Sequence, residues 1–175
     1  MVVSSLNETI NGTVFGACHE GAAIEGFCRA GTIDDAPERY TTFYHNTSDT
    51  TNSSTDNPGV LSYDFYYSEN PTMMVPSAMT LSSLPTSDTA IPIIYPDNTT
   101  TTYVSFDECG SMYIGSYTDD RTSPPSHEFL KVYNWYLCTT YYAYTYTTLA
   151  WAMGGVGATP QNPTCQKIDV KRVFI

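Results

Sequence analysis

The chain is short of positive charge: its 175 residues carry 7 Lys and Arg against 18 Asp and Glu, for a formal net charge of -11. Neutralising the phosphates of a nucleic acid takes clustered Lys and Arg, so nucleic acid is excluded as a partner. The basic residues that fall together, Lys167, Lys171 and Arg172, read as the solvated face of a terminal edge strand. Histidine is scarce as well. His19, His45 and His127 lie far apart, none in an H-x-x-x-H or H-E-x-x-H pattern, and no C-x-x-C pair occurs, which removes the usual zinc motifs. No run approaches the roughly eighteen apolar residues of a membrane-spanning helix. There is no G-x-S-x-G elbow, and the glycine-rich stretches Gly154 to Gly157 and Gly16 to Gly31 lack the lysine or strand-to-helix setting of a phosphate loop. No cofactor is implied.

What is present points to one domain over residues 1–175, large enough to bury a core of its own. Thr, Tyr, Val, Ile and Phe recur in short runs punctuated by Pro, Gly, Asn, Asp and Ser, which is the spacing of an all-β antiparallel β-sandwich or β-barrel. Leu61 to Tyr67 is the clearest strand, with Leu61, Tyr63, Phe65 and Tyr67 on one face. Tyr40 to His45, Met79 to Leu84, Ala90 to Tyr95, Thr101 to Phe106 and Ser111 to Tyr117 are further strands. Between Glu128 and Met153 both alternating sets are bulky, so two central strands buried on both faces are expected, with Trp135 and Trp151 in the core. Lys167 to Ile175 reads as a last strand with a bulge near Arg172, and the polar tract from Asp49 to Gly59 as an exposed loop.

The five cysteines suit disulfides. Cys18 with Cys28 and Cys138 with Cys165 is the favoured pairing, because each closes a local segment rich in turn residues. Cys109 is left over, a small buried hydrophobe beside Phe106 and Met112 rather than a reactive or intermolecular thiol. Asn7, Asn11, Asn46, Asn52 and Asn98 each stand in Asn-x-Ser/Thr, the acceptor pattern for N-glycosylation, which places the chain outside the cell or in a cell wall. Met1 to Leu6 lacks the charged and apolar regions of a signal peptide, so a secreted chain would be in its mature form.

Fifteen tyrosines are the most unusual feature after the sequons. A Tyr ring is flat and amphipathic, suited to stacking on sugars or to protein contacts. Tyr142, Tyr144 and Tyr146 alternate along the presumed strand and form a binding row if that face is open; core packing is the alternative. His19-Glu20 reads as a surface histidine in a rigid loop. Carboxylates for hydrolysis of a polysaccharide are available from Glu20, Glu25, Glu69, Asp107, Glu108 and Glu128. The acidic pairs Asp34-Asp35, Asp107-Glu108 and Asp119-Asp120 suit either calcium or the capping of turns.

The segments Cys18-His19-Glu20-Gly21-Ala22, Trp135 to Cys138 followed by Thr-Thr-Tyr-Tyr, Leu149-Ala150-Trp151 and Asn162 to Ile175 resemble small secreted glycoproteins of filamentous fungi that are functionally uncharacterised. The resemblance implies secretion or cell-wall association and transfers no catalytic residue. A binding or surface-structural module for a glycan or another protein is therefore the leading expectation, and a hydrolase with paired carboxylates the alternative.

Overall fold

Among the described residues, fourteen strands and one helical turn account for nearly all the regular structure. The structure, a computed structural model, describes residues 1–35, 37–48, 57–69, 71–96 and 99–174. In chain order the elements are β1 (Val2–Ser4), β2 (Thr13–Gly21), β3 (Ile24–Thr32), α1 (Glu38–Thr41), β4 (Tyr44–Thr47), β5 (Gly59–Glu69), β6 (Thr72–Ser82) and β7 (Thr89–Tyr95). They continue with β8 (Tyr103–Phe106), β9 (Met112–Ser116), β10 (Leu130–Val132), β11 (Trp135–Tyr141), β12 (Thr145–Ala152), β13 (Gln166–Lys167) and β14 (Asp169–Lys171).

The strands form one antiparallel sheet in the order β10-β9-β8-β5-β6-β7-β12-β3-β2-β1-β14, with β4 added to β5 and β11 lying between β12 and β13. The sheet curls into a half-barrel. Its two arms come together at a bridge between Ser111, just before β9, and Lys171 of β14, where the Lys171 ammonium also donates to the Ser111 hydroxyl. The core lies inside the curl: Phe15, Phe27, Leu61, Met79, Ile94, Phe106, Met112, Leu149 and Val170 are buried there.

The alternation expected at Leu61 to Tyr67 holds where the strand crosses the core. Leu61 and Tyr63 are buried, but Tyr67 is exposed because β5 runs past the core and its register shifts between Tyr66 and Ser68. β11 is covered on both faces. Trp135 and Leu137 join the main core, while Tyr136 and Cys138 pack with Ala150 and Ala152 on the other side. Trp135 and Trp151 meet edge to face at 4.7 Å, and the Trp135 indole N–H donates to the Met112 carbonyl across 2.8 Å.

Several expectations need correction. The stretch before β11 is not continuous with it: β10 ends at Val132, Phe129 is 47 % exposed, and the buried Asn134 breaks the strand. Its Nδ2 donates to the Ala152 and Gly155 carbonyls and its Oδ1 accepts the Gly157 N–H, so this side chain serves the glycine loop after β12. Residues 40–45 are not one strand, since α1 follows Pro37 and β4 starts only at Tyr44. The last strand is split at Ile168, because β13 pairs with β11 whereas β14 pairs with β1. Lys167, Lys171 and Arg172 consequently share no solvated face. Lys167 donates to the Tyr133 and Ile168 carbonyls at the split, and burial lowers its pKa. Cys109 is exposed, in a turn whose shape is set by Asp107 rather than by core packing. The tract expected as a loop falls, at 49–56, outside the described residues.

Both disulfides form as expected. Cys138–Cys165 joins β11 to the segment before β13. Cys18–Cys28, however, does not staple a turn-rich segment: it links β2 to β3, a long hairpin hidden in the sequence by Gly16, Gly21, Gly26 and Gly31. Gly16 is required by close approach, since a Cβ there would stand 2.8 Å from the Ala30 Cβ.

Candidate functional site

The β11–β12 hairpin turns over residues 142–144, beyond the last pair Tyr141 and Thr145. Tyr142 and Tyr144 thus sit in a turn and Tyr146 in β12, so the three do not form a row along one strand face. Tyr-Ala-Tyr contains none of the Gly, Pro, Asn or Asp residues that mark turns, which is why alternation misplaced it. The turn gathers rings nonetheless. The Tyr144 ring lies 5.5 Å from that of His19 and 6.2 Å from that of Tyr146, within the range of aromatic contact. Tyr144 is 48 % exposed and Tyr141 71 %, while Tyr142 and Tyr146 are half-buried.

The turn is held from β2. Glu20 is fully buried there, and its Oε2 accepts long hydrogen bonds from the N–H groups of Ala143, 3.4 Å, and Tyr144, 3.3 Å. Among the described residues its Oε1 has no hydrogen-bond partner. Glycine opposite makes the room: a Cβ on Gly26 would stand 3.0 Å from the Glu20 Cγ and 3.3 Å from the Cys18 Sγ. The Cys18–Cys28 bridge and Glu20 together form a firm base for the tyrosine turn.

Glu25 pairs with His19 across the β2–β3 hairpin. Its pKa is raised, chiefly by burial and further by Glu20, with His19 acting in the opposite direction. The folded state therefore holds this proton more tightly than the unfolded chain does. Stability falls as pH rises from the ordinary Glu value through the folded one. Glu25→Gln is expected to flatten that fall and to exceed the parent in stability at about pH 7 but not at about pH 4. Urea unfolding midpoints at the two pH values check this.

Beside the turn lies a groove of about 570 Å³, lined by Leu84, Asp88, Thr139, Tyr141, Tyr142 and Gln161 among others. Two loops make its walls. Asp88 accepts the Gln161 N–H through Oδ2, 2.9 Å, and Asn162 donates Nδ2 to the Thr139 carbonyl, 3.0 Å. Cys138–Cys165 anchors the second loop to β11. Leu84, Asp88 and Gln161 carry no motif in the sequence, and only the tertiary fold sets them beside the tyrosines.

Of the other carboxylates, Asp107 accepts the N–H groups of Cys109 and Ser111 and the Tyr133 hydroxyl, and Glu108 and Glu128 are exposed. Glu69 lies at the end of β5, its side chain outside the described residues. The acidic turns are occupied with local bonding: Asp35 accepts from the Thr32 hydroxyl, and Arg121 pulls Asp119 down to about 2. Among the described residues no three His, Cys, Asp or Glu side chains are placed to hold a metal ion.

Asn7, Asn11 and Asn46 are exposed. Asn7 Oδ1 accepts both the N–H and the hydroxyl of its sequon residue Thr9, Asn11 Oδ1 accepts the Ser5 N–H, and Asn46 lies on the outermost strand β4. Asn52 and Asn98 lie outside the described residues. Expression in a eukaryotic secretory host is expected to attach glycan at Asn46, Asn52 and Asn98 at least. Intact mass before and after glycosidase treatment checks this, and an unchanged mass counts against it.

The molecule is an all-β half-barrel with two disulfides, presenting a tyrosine-edged groove at one hairpin. Among its described residues no helix is long and apolar enough to cross a membrane. The chain belongs to the family described as Domain of unknown function (DUF7907), whose model matches residues 1–174. Neither a curated protein nor a solved structure matches it.

Proposed function

We propose that this chain is a secreted or cell-wall-associated glycoprotein, of the filamentous-fungal kind it resembles, that binds carbohydrate in the groove beside the β11–β12 turn. The observation that carries the reading is the groove's composition. Tyr141 and Tyr142 offer ring faces, and the side chains of Asp88, Thr139 and Gln161 offer hydrogen-bonding groups for sugar hydroxyls. Tyr144, Tyr146 and His19 extend the aromatic surface past the groove. Cys138–Cys165 holds one wall in place, which lowers the ordering cost of binding. Asp88 is the one carboxylate among the lining residues, which supports binding over two-carboxylate hydrolysis.

A glycan array probed with enzymatically deglycosylated protein is expected to return a polysaccharide fragment as ligand. Tyr141→Ala should weaken that binding about tenfold, the equivalent of about 1.4 kcal/mol. Because Tyr141 is mostly exposed and Tyr144 half so, Tyr141→Ala and Tyr144→Ala should each lower stability by less than about 1.5 kcal/mol. An array without ligands, or full affinity in Tyr141→Ala, would remove the groove from consideration. A loss of about 3 to 5 kcal/mol in Tyr144→Ala would mark that ring as core instead.

A further inference from the structure

A second and larger cavity, of about 830 Å³, opens between the two arms of the curled sheet. One arm contributes Val2 and Val14, the other Leu61 and Phe106, and the connecting segment contributes Ile33 and Phe43. Its volume is that of sites that enclose small molecules, about 300–1,000 Å³, and its walls set these apolar side chains beside polar ones, Thr41, Thr42, Asn46, Thr47 and Asn57 among them. His45 Nε2 is 3.0 Å from the Val104 carbonyl; since a carbonyl only accepts, Nε2 carries the proton and donates it. Burial lowers the pKa of His45 and so favours the neutral ring, against the hydrogen bond to Val104, and the nearby charge of Arg172 lowers it further.

Arg172 is the unusual member of the lining. Its guanidinium sits 5.2 Å from the ring centres of Phe106 and Phe174, and among the described residues it has no carboxylate in ion-pair contact. Glu38, the acidic residue of the lining, also faces the neighbouring groove with Arg39. A chamber that sets a guanidinium beside apolar side chains is complementary to an apolar molecule ending in an anion. We propose that this cavity binds a single-chain aliphatic carboxylate, its tail among Val14, Phe43, Leu61 and Phe106 and its head on Arg172.

Laurate, titrated calorimetrically below its micellar concentration, is the probe, and dodecanol the uncharged control. The parent is expected to bind laurate more tightly than dodecanol. Arg172→Gln should weaken laurate about tenfold or more and leave dodecanol nearly unchanged. Ile33→Trp, at a half-exposed lining position, should fill the cavity and abolish both. If that variant does not fold, Val173→Trp serves the same purpose, and circular dichroism melting establishes that each variant is native. Bound laurate should also shift the His45 imidazole titration, followed by NMR, to higher pH, because the carboxylate offsets the repulsion from Arg172. Failure of the folded parent to bind laurate, dodecanol binding as tight as laurate, or unchanged laurate affinity in Arg172→Gln or the filling variant overturns the proposal.

Discussion

Trp135→Ala should lower the unfolding free energy by about 3 to 5 kcal/mol, the range for deleting a fully buried aromatic side chain. Trp135 has no exposed surface, and its removal opens a cavity between Trp151 and the core. The site also supports a polar bond that spans the half-barrel. β9 is separated from β12 along the sheet by β8, β5, β6 and β7, yet the Trp135 indole N–H reaches the Met112 carbonyl directly. Trp135→Phe keeps most of the apolar volume and leaves that carbonyl without its donor, so about 1 to 3 kcal/mol should be lost. Denaturant titrations of both variants separate the two contributions. A loss below about 1.5 kcal/mol in Trp135→Ala would mean that the interior is far looser than close packing implies.

The second large effect concerns Cys138–Cys165. Replacing both cysteines by alanine frees a loop with a sequence separation of 27. Chain-entropy reasoning then gives a loss of about 3.5 kcal/mol, or a Tm lower by about 7 to 14 °C for a chain of this size. Removing Cys18–Cys28, with its separation of 10, should cost less, about 2.5 kcal/mol. Differential scanning calorimetry ranks the two. The first replacement should also impair carbohydrate binding beyond its effect on the fraction folded, because the loop carrying Gln161 and Asn162 loses its anchor to β11. Equal stability losses in the two double variants would contradict the loop-length argument.

The parts of the fold that were legible in the sequence are those where side-chain pattern and burial coincide. Leu61 and Tyr63 alternate because β5 covers the core with one face, and Trp135 to Cys138 is bulky throughout because β11 is covered on both. The β2–β3 hairpin was illegible for the opposite reason. Its glycines make room for Glu20 and for the close approach of Ala30 at Gly16, and they dilute the residues that announce a strand. Ile168 marks a change of partner between two strands, which leaves no trace in local periodicity. At the site, tyrosine content drew attention to residues 142–146, but the turn itself is imposed by β11 and β12 pairing around a sequence without turn formers. The groove's polar residues and the Arg172 cavity arise from segments far apart in the chain, and no spacing rule connects them.

The partnership of β1 with β14 also bears on how the chain reaches this shape. Val2–Ser4 and Asp169–Lys171 stand far apart in the chain, yet each supplies the other's ladder. Pairing so remote in sequence gives a high contact order, which favours slow folding and defers this part of the assembly until β14 has been made. During that interval Val3 and Val170, both buried in the finished molecule, stand open to other chains. A chaperone in the compartment of folding would find its substrate at this seam.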